Sequence, residues 1–181
     1  MKDQPIEAYS EEKDLGVTIT NNLKWETHIA NCVKKGNRMV GMIRNTFSYM
    51  NKDMFNSLYK ALVRPMLEYC TQVWNPHLEK DITALEKVQR RATKLVPQLS
   101  NLPYEERLSR LKLYPLKDRR MRGDMIAVYK MINGLIDVDR EKIIPMVNTS
   151  TITGISTRSH NQQLKGKHVK TESRKSFSHS V

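Results

Sequence analysis

Eight basic side chains on two predicted helices are the residues of this chain best suited to chemistry, and that chemistry is phosphate binding. Steps of three and four residues place one group on a single helical ridge, and the other group follows Pro115 closely. They are Lys87, Arg90, Arg91 and Lys94, then Lys117, Arg119, Arg120 and Arg122. Such side chains neutralise phosphates without reading base sequence. The alternative interpretation is a solvated helix face without a ligand.

The overall charge also favours a polyanionic partner. The 181 residues contain 31 Lys plus Arg against 19 Asp plus Glu, a net charge of +12. A surplus of that size favours nucleic acid through counterion release, with an anionic membrane as the competing partner. No stretch approaches the roughly 18 consecutive apolar residues of a membrane span, and the polar start lacks a signal-peptide core. We therefore expect an intracellular protein without a membrane partner.

Metal-binding and catalytic patterns are weak. His28 and Cys32 are spaced i and i+4, and Cys70 and His77 follow in the next segment. Zinc sites usually contain tight ligand pairs such as Cys-x-x-Cys, so the spacing favours structural roles for these side chains. Adjacent carboxylates at Glu105-Glu106 suit a helix N-terminus. We predict no catalytic residue, no metal ligand and no cofactor in this chain.

Three aromatic side chains could stack on bases but are placed better in a core. Trp25 lies on an apolar stripe, and Tyr69 and Trp74 flank another one. A base–aromatic stack contributes about 1–3 kcal/mol to binding. Large aromatic side chains on an apolar face are nevertheless mostly buried. Core packing is the favoured interpretation for all three.

Apolar spacing predicts a mainly α protein, a bundle of about five helices. The predicted helices cover about 25–47, 53–74, 80–96, 103–111 and 115–133. Pro65 should kink or break the second helix, because it lacks an N–H and disfavours helical backbone at the preceding residue. Pro103 should lie in the first turn of the fourth helix, and Gly134 should stop the last.

Flanking segments complete the predicted domain organisation. Residues 1–24 contain one short strand, Leu15–Thr20, which needs a partner from elsewhere because a lone strand is unstable. We expect this N-terminal segment to be frayed. Residues 25–147 form the helical domain. Residues 148–181, rich in Ser, Thr, Lys and His, should be a disordered basic tail because they lack apolar periodicity.

Several ordered motifs resemble one protein family. The motifs are Leu15-Gly16-Val17, then Trp25 with His28-Ile29, Val63 to Cys70, Trp74-Asn75-Pro76-His77, and Leu85-Glu86-Lys87-Val88-Gln89-Arg90-Arg91-Ala92-Thr93. Together they resemble the segment that follows the polymerase core in reverse transcriptases of non-long-terminal-repeat, LINE-like retrotransposons. The resemblance covers roughly residues 12 to 180.

The resemblance implies the thumb and C-terminal region of an RNA-directed DNA polymerase. Its basic helices would hold the backbone of an RNA–DNA template–primer without sequence preference. The family's catalytic Mg²⁺ is held by a palm domain with an Asp-Asp pair, and this sequence contains no such pair. We therefore expect a non-catalytic fragment, with RNA, DNA and the missing palm as partners. The alternatives are a helical protein-interaction module retained from a decayed element, or a small DNA-binding regulator.

Overall fold

The computed structural model describes residues 9–137, which are mainly helical as predicted. The regular elements are β1 Glu11–Asp14, β2 Val17–Thr20, α1 Glu26–Thr46, α2 Lys52–Leu58, α3 Arg64–Glu68, α4 Thr71–Trp74, α5 Glu79–Ala92, α6 Tyr104–Leu111 and α7 Leu116–Ile132. A π-helical segment, Tyr59–Val63, joins α2 to α3, and 3-10 turns follow α5 at Thr93–Leu95 and Pro97–Leu99. The chain divides into two compact units, residues 1–121 and 122–181.

The N-terminal strand has a partner that the sequence did not indicate. β1 pairs antiparallel with β2, from Glu11 opposite Thr20 to Asp14 opposite Val17. Leu15 and Gly16 both have positive φ, 44° and 88°, which is typical of a two-residue hairpin turn. The prediction of one unpaired strand starting at Leu15 was therefore wrong. β1 escaped detection because every residue in it is exposed, so it has no apolar alternation.

Helix α1 packs in parallel against α5. Lys80 pairs with Glu26 at the start of the two helices, and Arg91 contacts Asn37 eleven residues further along both. Gly36 lies between these contacts. A Cβ added there would lie 2.9 Å from Leu67 Cδ2 on α3 and 3.1 Å from Val88 Cγ1 on α5, so the absence of a side chain permits the close approach of α1 to both helices.

Pro65 interrupts the second predicted helix by widening it. The N–H of Arg64 donates to the carbonyl of Tyr59, five residues back, instead of to the usual i−4 carbonyl. A π-helical turn places the proline ring away from the carbonyl with which it would clash in an α-helix. The expected disruption at Pro65 is confirmed. The same predicted helix ends early, at Glu68, and Cys70 adopts a left-handed backbone with φ 56° before the short α4.

Core packing was predicted for three aromatic residues, and the structure buries them to different extents. Trp74 is fully buried, and its Nε1 donates to the carbonyl of Tyr69 at 2.8 Å. Trp25 packs against the core and is half-buried. The prediction was wrong for Tyr69, which is 57% exposed and donates its hydroxyl to the carbonyl of Leu15 at 3.0 Å. The left-handed break at Cys70 removes Tyr69 from the apolar face that a continuous helix would have had.

The described part of the second unit is the end of α7 and the turn that follows it. The Leu135 N–H donates to the carbonyl of Lys130 at 2.9 Å, and the Gly134 N–H to that of Met131 at 3.3 Å. With Gly134 at φ 66°, these two bonds form a Schellman C-cap, and the predicted stop is confirmed. The predicted tail, residues 148–181, lies outside the described residues.

Candidate nucleic-acid interface

Four of the eight predicted phosphate-binding residues form an exposed row on α5. We call this row the α5 ridge, and it consists of Lys87, Arg90, Arg91 and Lys94. Lys94 lies in the 3-10 turn Thr93–Leu95, which directly continues α5, and its side chain is exposed like those of the other three. Among the residues that the structure describes, no carboxylate forms an ion pair with any member of the ridge. The ridge therefore presents four positive charges to solvent.

Gln89 anchors the opposite face of α5. Its Oε1 accepts from the hydroxyl of Tyr59, and its Nε2 donates to Tyr104 Oη at 2.9 Å and to the carbonyl of Tyr114 at 3.0 Å. Gln89 is 1% exposed, so these bonds satisfy a polar side chain that water does not reach. Burial raises the pKa of Tyr59, which keeps its hydroxyl protonated as the donor.

Glu86, one turn earlier, links α5 to the start of α7. Its Oε1 accepts from the hydroxyl of Tyr104, and its Oε2 accepts from the backbone N–H of Leu116 at 2.9 Å. A carboxylate at a helix N-terminus is stabilised by the helix dipole and by the unpaired N–H groups there. Glu86 and Gln89 thus fix the rotation of α5 and keep the ridge directed outward.

Two members of the ridge have contacts that orient their guanidinium groups. Arg90 lies over the ring of Tyr104, with Cζ 4.7 Å from the centroid. Arg91 donates from Nη1 to Oδ1 of Asn37 at 3.0 Å. Neither contact neutralises charge, so both side chains keep donors for phosphate while losing rotational freedom. No ion pair within residues 9–137 involves Lys87 or Lys94.

The second predicted basic group does not form one exposed surface. Arg119 makes a bidentate pair with Glu68, with bonds of 2.6 and 3.1 Å, and this pairing raises the pKa of Arg119. Arg120 is only 4% exposed. Lys117 and Arg122 are exposed, but Arg122 belongs to the second compact unit. The candidate interface is therefore built on the α5 ridge and not on the start of α7.

A groove at the C-terminal end of the ridge contains residues that the sequence analysis missed. Its volume is about 680 Å³. We call it the α1–α5 groove, and its lining is Asn37, Val40, Gly41, Arg44, Phe47, Ser48, Met50, Arg91, Lys94, Leu95 and Pro97. Asn37, Gly41 and Arg44 share one face of α1 at i, i+4 and i+7, which is the signal that could have identified them.

Two of the four residues considered for a metal site, His28 and Cys32, have structural contacts. The Nδ1 of His28 accepts from the Thr18 N–H at 3.1 Å, so its Nε2 carries the proton and lies 3.3 Å from Cys32 Sγ. The His28 ring also contacts Trp74 edge to face. Over residues 9–137, no three His, Cys, Asp or Glu side chains are grouped to hold a metal ion. His28 instead attaches β2 to α1.

This histidine should make folding sensitive to mild acid. Burial lowers the pKa of His28 below 6.5, and the charge of Lys35 acts in the same direction. As pH falls below about 6.5, the unfolded chain takes up this proton before the folded chain does, so stability falls until the folded pKa is reached. We expect a lower urea midpoint at pH 5.5 than at pH 7.5. His28→Asn, which can still accept from Thr18 without titrating, should reduce that difference; an equal pH effect in both proteins would contradict the prediction.

Among the helices of the described residues, none has the length and apolar character needed to span a membrane. This finding concerns residues 9–137 alone.

Comparison with known proteins gives one weak similarity. The chain is 22% identical over 132 residues to a Caenorhabditis elegans protein described as Uncharacterized protein B0403.1, covering 71% of this chain and 67% of that protein. No family model matches the chain, and no solved structure matches it.

Proposed function

We propose that this chain is a thumb-like helical region of a LINE-like reverse transcriptase that holds the template–primer backbone. The observation that carries the proposal is the α5 ridge, which is exposed, unneutralised and formed by residues of the motif from Leu85 to Thr93 that resembles the family, together with Lys94 directly after it. The net charge of +12 supports the same class of partner. RNA–DNA hybrid is the proposed ligand.

The spacing of the ridge suits a phosphate backbone. Lys87 and Lys94 are seven residues apart, which is roughly 10 Å along a helix that rises 1.5 Å per residue. One strand of a duplex presents a phosphate every ~3.4 Å along the axis, so the ridge can follow about three of them. Contacts of this kind carry no sequence preference.

Polymerisation is not proposed for this chain alone. The 181 residues contain no Asp-Asp pair to hold the Mg²⁺ that the family uses. A palm domain, as the proposed partner, would supply both the metal site and the catalysis. The thumb-like region would position the hybrid by its charge.

Charge reversal on the ridge should weaken binding and flatten its salt dependence. Lys87→Glu with Lys94→Glu removes two phosphate contacts, so the slope of log K against log salt should decrease in magnitude by about two. Fluorescence anisotropy with a labelled RNA–DNA hybrid, titrated at salt concentrations from about 50 to 200 mM, measures this slope.

A matched control makes that experiment specific to the ridge. Lys13→Glu with Lys34→Glu changes the net charge equally, and both side chains are exposed outside the ridge and the groove. This control should retain the wild-type slope within about half a unit. Equal losses in the two double variants would contradict a ridge-specific site, and no binding by the wild type at low salt would contradict the proposed function.

A helical protein-interaction module is the second candidate. Large apolar side chains are exposed in the second unit, with Met125 at 49% and Tyr129 at 63% exposure. Apolar surfaces of this kind are typical of protein contacts. This function predicts association that persists at high salt, which sedimentation of the wild type and a Met125→Lys variant would test.

A further inference from the structure

We infer that the α1–α5 groove binds an unstacked base and its adjacent phosphate, so that the protein engages single-stranded nucleic acid beside a duplex. This inference rests on the proposed function and extends it to a second substrate class. It requires a cavity of suitable size, a positive lining, an apolar surface for a base and continuity with the ridge. The lining of the α1–α5 groove and the adjoining α5 ridge meet these four requirements.

The cavity arises because the two parallel helices end at different levels. α5 stops at Ala92, and the chain turns through Val96 and Pro97. α1 continues to Thr46, well beyond the level at which Asn37 contacts Arg91. The resulting groove of about 680 Å³ falls within the ~300–1,000 Å³ of small-ligand sites.

The lining of the groove favours an anion. Arg44 from α1 and Arg91 and Lys94 from the α5 side contribute three positive charges, and the lining, as defined among the described residues, includes no carboxylate. The carbonyl ends of α1 and α5 oppose an anion with about half a charge each. The three positive side-chain charges outweigh these two partial negative charges, so a phosphate is favoured at the opening of the groove.

The apolar part of the groove favours a planar ring. Phe47 and Leu95 are half-buried, and Met50, which is also part of the lining, is 4% exposed. A nucleic-acid base offers a planar π-face to such a surface, whereas a simple inorganic anion would leave it unused. Ser48 and Asn37 add polar groups for a base edge or sugar.

The need for an unstacked base selects single strands over duplexes. Bases inside a duplex are stacked and paired, so a groove in the protein cannot reach their faces without the free-energy cost of unstacking. Arg91 and Lys94 belong to both the ridge and the groove, so a strand leaving a duplex on the ridge passes directly to the groove mouth. A template overhang next to a hybrid has this form.

The test measures how a single-stranded RNA and an RNA–DNA hybrid bind to two variants of the groove, one without its aromatic ring and one with one positive charge fewer. Phe47→Leu removes the aromatic face while keeping an apolar side chain, and Arg44→Gln removes one charge. Tyr49→Leu is the matched control, because Tyr49 is an exposed aromatic residue two positions away and outside the lining. The probes are a labelled 12-nucleotide oligouridylate and an RNA–DNA hybrid of equal length, measured by anisotropy after thermal unfolding has verified that each variant is folded.

We expect Phe47→Leu to weaken oligouridylate binding roughly 5- to 150-fold and to leave hybrid binding within twofold. Arg44→Gln should also weaken single-strand binding selectively, and Tyr49→Leu should change neither. If both groove variants bind oligouridylate as the wild type does, while Lys87→Glu with Lys94→Glu weakens hybrid binding, the groove inference is overturned and the proposed function stands. If the wild type binds neither probe, both are overturned.

Free nucleotide is distinguished by competition. Uridine monophosphate, added at the same nucleotide concentration as the oligouridylate, should leave the labelled strand bound because it lacks the contacts to the ridge. Complete displacement by the monophosphate would assign the groove to free nucleotides and would overturn its assignment to a strand.

Discussion

Gly36→Ala should lower the free energy of unfolding by up to about 2 kcal/mol, because the cost of about 1–3 kcal/mol for adding a methyl group to a packed core exceeds the gain in helix propensity of up to about 1 kcal/mol. The new Cβ would lie 2.9 Å from Leu67 Cδ2 and 3.1 Å from Val88 Cγ1. Leu67 and Val88 are 0% and 1% exposed, so neither can move into open space. Relief therefore requires the side-chain ends of Leu67 and Val88 to shift within the core, or α1 to move away from α3 and α5. Urea denaturation followed by circular dichroism measures the change.

Gly41→Ala provides the matched control on the same helix. No atom lies within 4 Å of a Cβ added at Gly41, so only helix propensity acts there. Replacing a helical Gly by Ala stabilises by up to about 1 kcal/mol. The two substitutions should thus have opposite signs. Stabilisation by Gly36→Ala would show that the side chains of Leu67 and Val88 accommodate the added methyl group, and would contradict the prediction.

Gln89→Leu should lower the free energy of unfolding by about 3 kcal/mol, because each buried polar group left without a partner costs about 1–3 kcal/mol. The substitution leaves the buried Tyr59 hydroxyl without its acceptor and removes a donor from the carbonyl of Tyr114. Leu has a volume similar to that of Gln, so the loss should come from hydrogen bonding and not from a cavity. Thermal and urea unfolding both measure this decrease in the free energy of unfolding.

A double-mutant cycle with Tyr59→Phe isolates the shared bond. The aromatic ring that this substitution retains would keep the stacked contact with Phe55, in which the ring centroids are 5.5 Å apart. Without the Tyr59 hydroxyl, Gln89→Leu should cost at least about 1 kcal/mol less than it does in the wild type, because coupled partners are not additive. If the free-energy changes of the two single variants add up to that of the double variant, a direct interaction between the two side chains is contradicted.

Local sequence patterns predicted most of the helices because their apolar faces repeat at the helical period. α1, α5, α6 and α7 lie close to their predicted positions, although Pro103 is the residue just before α6 and not in its first turn, and α5 ends at Ala92 and not near Val96. β1 was missed because its exposed polar residues carry no pattern, and its pairing depends on backbone geometry at the turn. The left-handed residue at Cys70 was also unpredictable from periodicity, and it interrupts the second predicted helix before Val73, an apolar residue that is 54% exposed.

The candidate site was predictable only where it depends on one helix. Spacing along α5 suffices to place its basic residues on one side. The pairing of Arg119 with Glu68 joins positions 51 residues apart, and no local pattern indicates it. The groove likewise depends on the parallel pairing of α1 and α5, which a list of amphipathic helices does not specify.

The parallel pairing of α1 with α5 has a consequence for synthesis on the ribosome. The Glu26–Lys80 and Asn37–Arg91 contacts each join residues 54 positions apart. At about 5–20 residues per second, α1 must wait roughly 3–11 s after its own translation before its partner emerges. During that interval the apolar stripe containing Ile29, Val40 and Ile43 has no α5 to cover it. During synthesis, the hydrophobic stripe of α1 is therefore open to chaperones until α5 emerges.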